Sequence, residues 1–204
     1  MRRVREFFVQ NETIFLFAQG LVFFSLGFAV WLQRRRATRL TLSSSLIWLA
    51  AFAFVEAFAV WCYVFIPILE TYMRPGVIEG LLVLRAVVQV AAFVFLVQFG
   101  LRLLGLTDRV RRWFTVLSVL AALAIVVATA IAASESGWSA AEWEAAANGL
   151  ARYALLFPGA LLSTVGLSRQ RAALADAGMT GIKPHATPPA PVPSVSALPA
   201  VAVP

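Results

Sequence analysis

Five long apolar stretches set the strongest limit on what this chain can fold into. A helix of about 20 apolar residues spans the ~30 Å hydrocarbon layer of a bilayer. Because lipid offers no partner for open backbone groups, a spanning segment of this kind must be helical. The sequence therefore predicts an all-α fold, a polytopic membrane helical bundle with about five transmembrane helices. The stretches are Ile14–Gln33, Leu42–Ile66, Val77–Leu104, Trp113–Ala132 and Ala147–Leu167.

The composition agrees with membrane insertion. The chain is 61% hydrophobic and 13% charged, with a mean hydropathy of +0.84, whereas soluble domains are roughly half apolar. Its 17 Lys and Arg against 10 Asp and Glu give a net charge of +7. Most of these basic residues lie at the ends of the apolar stretches, so the expected partner is the lipid bilayer and not nucleic acid.

The distribution of basic residues predicts the orientation in the membrane. Four of them, Arg2, Arg3, Arg5 and Arg74, lie on one side of the predicted spans, and eleven lie on the other. Because Lys and Arg are enriched in cytoplasmic loops, the N-terminus is expected outside and the C-terminus in the cytoplasm. The eleven are Arg34, Arg35, Arg36, Arg39, Arg102, Arg109, Arg111, Arg112, Arg169, Arg171 and Lys183.

The composition also divides the chain into segments. Residues 1–13 are expected to lie in the membrane interface, residues 14–167 to form the five-span domain, and residues 168–182 to form a cytoplasmic helix stub that ends at Gly178. Residues 183–204 contain seven of the ten prolines and almost no charge. Such a segment cannot build a core, so a disordered tail is expected there.

Three ionisable residues fall inside the predicted spans: Glu56, Arg85 and Arg152. A charge at the bilayer centre costs about 2.5–3.5 kcal/mol on insertion scales, so such residues usually face the protein interior and pair. Counted at ~1.5 Å per residue, they lie roughly 15, 12 and 8 Å below the outer ends of their spans. We therefore expect an intramembrane ion cluster in which Glu56 neutralises Arg85, Arg152 or both.

Each of the three charges has a polar companion on the same helical face. The spacings are seven, four and eleven residues, close to two, one and three helical turns. A face that combines charged, polar and small residues is typical of the packed side of a membrane helix. The companions of Glu56, Arg85 and Arg152 are, in that order, Tyr63, Gln89 and Ser163.

Two readings of the ion cluster stay open. It either holds the helices in register, or it is a ligand or proton site, and Arg152 could instead extend to the lipid headgroups. In the same span Pro158 is expected to kink the helix, because proline cannot donate to the carbonyl of Ala154.

The sequence offers no set of residues suited to catalysis. Cys62 is the single cysteine, which excludes an internal disulfide and a cysteine-based metal site, and the single histidine, His185, lies in the tail. No nucleophile and base can be placed opposite one another. We therefore expect no enzyme activity, no cofactor and no bound metal.

Four phrases of the sequence are similar to a known group of membrane proteins. They are "FFSLGFAVWLQRRRATRL" (23–40), "SLIWLAAFAFVEAFAVWCYVFIPI" (45–68), "FLVQFGLRLL" (95–104) and "LARYALLFPGALLSTVGLSRQ" (150–170). They resemble the N-terminal multi-pass membrane sensory module of bacterial sensor histidine kinases. In that family the second span commonly carries His-Gly and then Glu-Trp before Phe-Ile-Pro. Here Trp61 and the Phe-Ile-Pro are present, but Glu56 and Val60 replace the His and the Glu.

The resemblance implies a sensory module in the bacterial inner membrane. The family's phosphoacceptor and ATP-binding domains would follow the module, but only 34 residues come after Gln170, so the kinase domains are expected to be absent from this chain. The module would then act through a membrane kinase, another membrane protein or a second copy of itself. The alternatives are a structural or accessory subunit of a membrane complex and, with less support, a small-anion carrier.

Overall fold

A computed structural model describes residues 11–36 and 43–181 of the chain. Of the predicted interfacial segment 1–13, only the last three residues are described. The predicted tail, residues 183–204, lies outside the described residues, as do residues 37–42, which include the second half of the first predicted inner loop.

The described residues form six α-helices and one π-helical segment, with no strand among them. Five helical stretches are long and apolar enough to cross a membrane, which confirms the predicted fold class. The fifth stretch combines two helices and the π-helical segment, and it begins at Ala140 rather than at the predicted Ala147. The elements are α1 (Glu12–Arg36), α2 (Ser43–Glu70), α3 (Pro75–Leu103), α4 (Asp108–Ser136), α5 (Ala140–Ala151), the π-helical segment (Arg152–Leu156) and α6 (Phe157–Gly181).

Short connections join α2 to α3, α3 to α4 and α4 to α5, and the two helices of each pair pack against one another. Pro75 occupies the first turn of α3, where its missing N–H costs nothing. Gly137 ends α4 with φ 68°, a left-handed conformation that glycine adopts without strain. Ser139 then begins α5 with a capping box, in which its side chain accepts from the Glu142 N–H and the Glu142 carboxylate accepts from the Ser139 N–H.

Helix α3 lies at the centre of the bundle and packs against α2, α4, α5 and the π-helical segment. Phe93 and Leu101 are among the most completely buried large side chains of the described part, and both belong to α3. The main apolar core gathers around this helix with Phe52 of α2 and Leu155 of the π-helical segment. Helix α3 therefore contributes more buried side chains to the core than a helix at the edge of the bundle would, although part of its surface stays exposed.

Helices α3 and α6 cross at short distance through small residues. A Cβ placed on Gly100 would lie 2.7 Å from the Cβ of Leu162 and 2.9 Å from the backbone N of Ser163. On α6, Gly159 likewise lies close to Val97 of α3, and Gly166 lies close to Leu103 of α3. Small residues that let two backbones approach are a common means of helix association in membranes.

Helix α1 packs along α2 through aromatic side chains. Phe17 and Phe24 lie on Trp61 with ring centroids 6.2 and 5.8 Å away, and the indole N–H of Trp61 donates to the carbonyl of Phe17 at 3.3 Å. Gly20 leaves the space that the Trp61 ring occupies. This contact is apolar and carries no ion pair among the described residues.

The chain divides into two compact units, residues 1–170 and residues 171–204. The helical bundle belongs to the first unit. In the second, residues 171–181 are helical, so the helix continues past Gly178, where it was predicted to end, to the last described residue, Gly181.

Candidate functional site

A buried ion pair joins α3 to α5. The guanidinium of Arg85 binds the carboxylate of Glu144 in a bidentate arrangement, with Nε donating to Oε1 at 2.8 Å and Nη2 donating to Oε2. The two side chains are only 8% and 6% exposed. Planar, charge-assisted pairs of this type are among the stronger interactions of a protein interior.

This arrangement corrects the predicted pairing. Glu56 was expected to neutralise Arg85, Arg152 or both, but the counter-ion of Arg85 is Glu144. The prediction failed because the fifth span was taken to begin at Ala147, which left Glu144 in an outer loop. In the structure Glu144 lies one turn inside α5.

The sequence does contain a signal that would have located Glu144. The capping box of Ser139 and Glu142 marks the start of a helix, and Glu144 follows within its first two turns. Glu144 and Asn148 are four residues apart, as are Arg85 and Gln89 on α3. Two matching polar faces on neighbouring helices of a membrane protein predict contact between them.

Tyr63 of α2 completes the contact around the ion pair. Its hydroxyl donates to Oε1 of Glu144 at 3.2 Å and accepts from the side-chain amide of Asn148 at 2.9 Å. The guanidinium carbon of Arg85 lies 3.8 Å from the centre of its ring, a distance suited to a cation–π contact. Arg85, Glu144, Tyr63 and Asn148 thus form one polar network that links α2, α3 and α5.

Glu56 has a different partner. Its carboxylate accepts a hydrogen bond from the side-chain amide of Gln89 at 2.5 Å, one turn further along α3 than Arg85. Arg152 lies near enough to attract Glu56 electrostatically, but the two form no direct ion pair in the described structure. Gln89 is buried and Arg152 is exposed, so of the two arginines that were expected to neutralise Glu56, Arg152 acts on it only from a distance.

The π-helical segment explains the position of Arg152. In a straight α-helix Arg152 and Ser163 would share a face, as predicted. A π-helical segment holds an extra residue per turn, which rotates the preceding part of the helix by about 100° relative to the following part. Ser163 is buried against α3, where its hydroxyl donates to the carbonyl of Gly159 at 2.7 Å, whereas Arg152 is exposed.

Pro158, which was predicted to kink the helix, directly follows this segment. It has no N–H to offer to the carbonyl of Ala154. In the preceding turn the N–H of Phe157 donates to the carbonyl of Arg152, five residues back. The irregularity therefore lies in the turn that precedes the proline.

Two buried polar atoms beside the network have no hydrogen-bond partner in the described part of the chain: Oδ1 of Asn148 and Nε1 of Trp143. Within the same residues, no three His, Cys, Asp or Glu side chains come together in a way that could hold a metal ion. The network can thus hold three helices together, and the described residues around it include no metal site.

Comparisons of this chain with family models, curated proteins and solved structures find no match. What the chain is must then be read from its own architecture. The described residues contain five apolar helical stretches of 22 to 34 residues, each with a mean hydropathy between 1.4 and 2.7, and a buried ion pair joins two of them. This is the architecture of an integral, multi-pass membrane protein.

Proposed function

We propose that this protein is a sensory membrane module that transmits a change in its helix packing to a membrane-protein partner and has no catalytic activity of its own. The observation that carries the proposal is the polar network of Arg85, Glu144, Tyr63 and Asn148, which joins three of the apolar helical stretches. The resemblance of four sequence phrases to sensor kinase modules supports the same conclusion.

The network suits a two-state element. A buried ion pair is favourable only while both partners stay paired, because an unpaired charge in a poorly solvated interior is costly. An event that separates Glu144 from Arg85 would therefore favour another arrangement of α5 against α3. Packed interfaces tend to switch between discrete arrangements of this kind.

The π-helical segment gives such a change a route along the chain. It connects α5, which carries Glu144, directly to α6. π-Helical turns occur often at functional sites, and their hydrogen bonds adapt to a shift of one residue. A movement of α5 would thus change the register at which α6 packs on Gly100 of α3.

The proposed setting is the inner membrane of a bacterium, with the N-terminus outside and the C-terminus in the cytoplasm. The proposed partner is a membrane kinase. Two copies of this chain could form a homodimer that binds it. Reporter fusions at residues 108 and 140 test the orientation, because the proposal puts the first inside and the second outside. The opposite result would overturn the orientation.

Photo-crosslinking in native membranes tests the proposal. A photoreactive phenylalanine would replace Tyr153, which is 83% exposed on the π-helical segment, and in a second variant Leu117, which is 60% exposed on α4. The expected product is a membrane histidine kinase. In vesicles that contain both proteins, Arg85→Met should then change the autophosphorylation rate of that kinase.

Two controls separate signalling from misfolding. Thr164→Val removes a hydroxyl that bonds only within its own helix, and it should leave the kinase rate unchanged. The double variant Arg85→Met with Glu144→Leu should fold. Because it has no ion pair to separate, it should not transmit a change in helix packing to the kinase. A kinase rate that ignores Arg85→Met, or crosslinks to no protein other than a second copy of this chain, would contradict the proposal.

A structural or accessory subunit is the second candidate, and the exposure of α4 favours it. Only 11% of the most apolar window of α4 is buried, which leaves a long face free for a neighbouring protein. Crosslinks from Leu117 to the subunits of one stoichiometric complex would support this candidate. The anion-carrier alternative loses support, because Glu144 already neutralises Arg85.

A further inference from the structure

A polar pocket lies at the start of α4, at the end of the helix that is predicted to face the cytoplasm. It has a volume of about 380 Å³ and is lined by Asp108, Arg111, Arg112 and Thr115. Arg111 pairs with Asp108, and the hydroxyl of Thr115 donates to Oε1 of Gln98 at 2.8 Å. Arg112 is exposed and has no ion-pair partner in the described structure.

An apolar groove continues from this pocket along the same face of α4. It has a volume of about 330 Å³ and lies between α4 and α3. Val119 of the groove follows Thr115 of the pocket after four residues, so the two cavities share one helical stripe. The groove is lined on the α4 side by Val119, Ala122, Leu123 and Val126, and on the α3 side by aliphatic side chains and Phe95.

The polar end of this stripe carries positive charge that is not fully compensated. Arg102 of α3 lies close enough to Arg111 for the two guanidinium groups to repel each other. Nε of Arg102 is buried and donates to no acceptor among the described residues, and its guanidinium lies over the Trp48 ring at 5.1 Å. The pocket is lined by Arg111 and Arg112 but by only one acidic residue, Asp108. Positive charge therefore exceeds negative charge there, and the pocket favours an anion.

We propose that the pocket and the groove together bind one anionic phospholipid, with its phosphate at Arg111 and Arg112 and one acyl chain between α3 and α4. Basic pockets between membrane helices on the cytoplasmic side are suited to anionic headgroups. From Thr115 to Val126 the helix rises ~16 Å, which is about half of the ~30 Å hydrocarbon layer. One acyl chain of a single leaflet matches that length.

The two parts of the site contribute differently. An acyl chain gains little by leaving lipid for an apolar groove, because both surroundings are apolar. The preference for an anionic lipid therefore comes from the arginines, at about fivefold in affinity for each one near the headgroup. A helix from a second copy of the chain would fill the groove but would not supply the phosphate that the pocket favours.

Native mass spectrometry of the full-length protein in detergent tests the proposal with two probes, dioleoyl phosphatidylglycerol and dioleoyl phosphatidylcholine. The wild-type protein should bind one molecule of the anionic lipid at least about tenfold more tightly than the zwitterionic one. The variant Arg111→Gln with Arg112→Gln should lose this preference. The matched control, Arg169→Gln with Arg171→Gln, removes the same charge elsewhere and should keep it.

A second pair of variants tests the groove. Val119→Trp would fill it, whereas Val116→Trp would put the same bulk on an exposed position outside it; the two valines are 50% and 44% exposed. Only Val119→Trp should weaken binding of the anionic lipid. Equal affinity for the two lipids, an equal loss in the Arg169/Arg171 control, or equal effects of the two tryptophans would overturn the proposal. Displacement of the lipid by millimolar inorganic phosphate would show a free-anion site instead and would also overturn it.

Discussion

Helices α3 and α4 are alike as sequences and different as parts of the molecule. Both have 29 residues, and their most apolar windows have mean hydropathies of 2.4 and 2.7. Yet 44% of that window is buried in α3 and 11% in α4. Hydropathy thus indicates that a helix enters the membrane, but not whether it faces lipid or protein.

The polar residues account for the difference between the two helices. Helix α3 carries Arg85, Gln89 and Gln98 within its span, and all three are buried with a partner on another helix. The middle of α4 carries no charge, and the hydroxyl of Thr129 bonds to its own backbone. In lipid a polar side chain must find a partner, so the helix with more polar groups takes the central position.

The largest expected effect comes from breaking the ion pair of α3. Arg85→Met should lower the free energy of unfolding by about 3–5 kcal/mol, because it leaves Glu144 buried without a counter-ion. Combining it with Glu144→Leu should restore most of the loss. Unfolding by SDS titration from mixed micelles measures both. Arg109→Met on α4 is the control; it removes an exposed charge and should change stability little.

A second prediction compares a Leu→Ala substitution on α3 with a Leu→Ala substitution on α4. Leu101→Ala on α3 removes a side chain that is 1% exposed, whereas Leu120 on α4 is 55% exposed. We expect a loss of about 2–3 kcal/mol for the first, the lower part of the usual range because in lipid only packing is lost. Leu120→Ala should stay within about 0.5 kcal/mol of the wild type. Similar losses in the two variants would remove the distinction between the helices.

The close crossing of α3 and α6 gives a third test. Gly100→Ala would put a methyl group 2.7 Å from the Cβ of Leu162, well inside normal carbon contact at ~3.5–4.0 Å. The expected loss is about 1–2 kcal/mol from overpacking. Gly80→Ala on the same helix meets nothing within 4 Å and should be neutral or slightly stabilising. A stable Gly100→Ala variant would show that α6 can move away without cost.

The smallest expected effect concerns the hydrogen bond between Thr115 of α4 and Gln98 of α3. Thr115→Val removes the hydrogen bond to Gln98, and such bonds in membranes average about 0.6 kcal/mol. Thr164→Val, which loses a bond to its own helix at Ala160, should cost less. If Thr115→Val lowers the free energy of unfolding more than Arg85→Met does, polar contacts rather than apolar packing hold α4 in the bundle.

Much of the architecture was predictable because the bilayer restricts it so strongly. The five predicted spans and their helical form were confirmed, and the centre of each predicted span lies within a few residues of the centre of the observed stretch. The connections that follow the second, third and fourth spans are short, as predicted. The candidate site was predictable only in part. Arg85, Gln89 and Tyr63 do belong to polar contacts between helices, but the partner assigned to Arg85 was wrong, and Glu144 was not considered.

By itself the sequence determined that this protein crosses a membrane several times as a helical bundle, because length and hydropathy leave a lipid-exposed segment no other backbone structure. The tertiary structure decided which charges meet. Periodicity gives the face of a side chain only within one regular helix, and it fails where a π-helical segment changes the register, as at Arg152. The partner of Arg85 depended on how deep α5 lies against α3, a relation between helices that spacing along the chain does not contain.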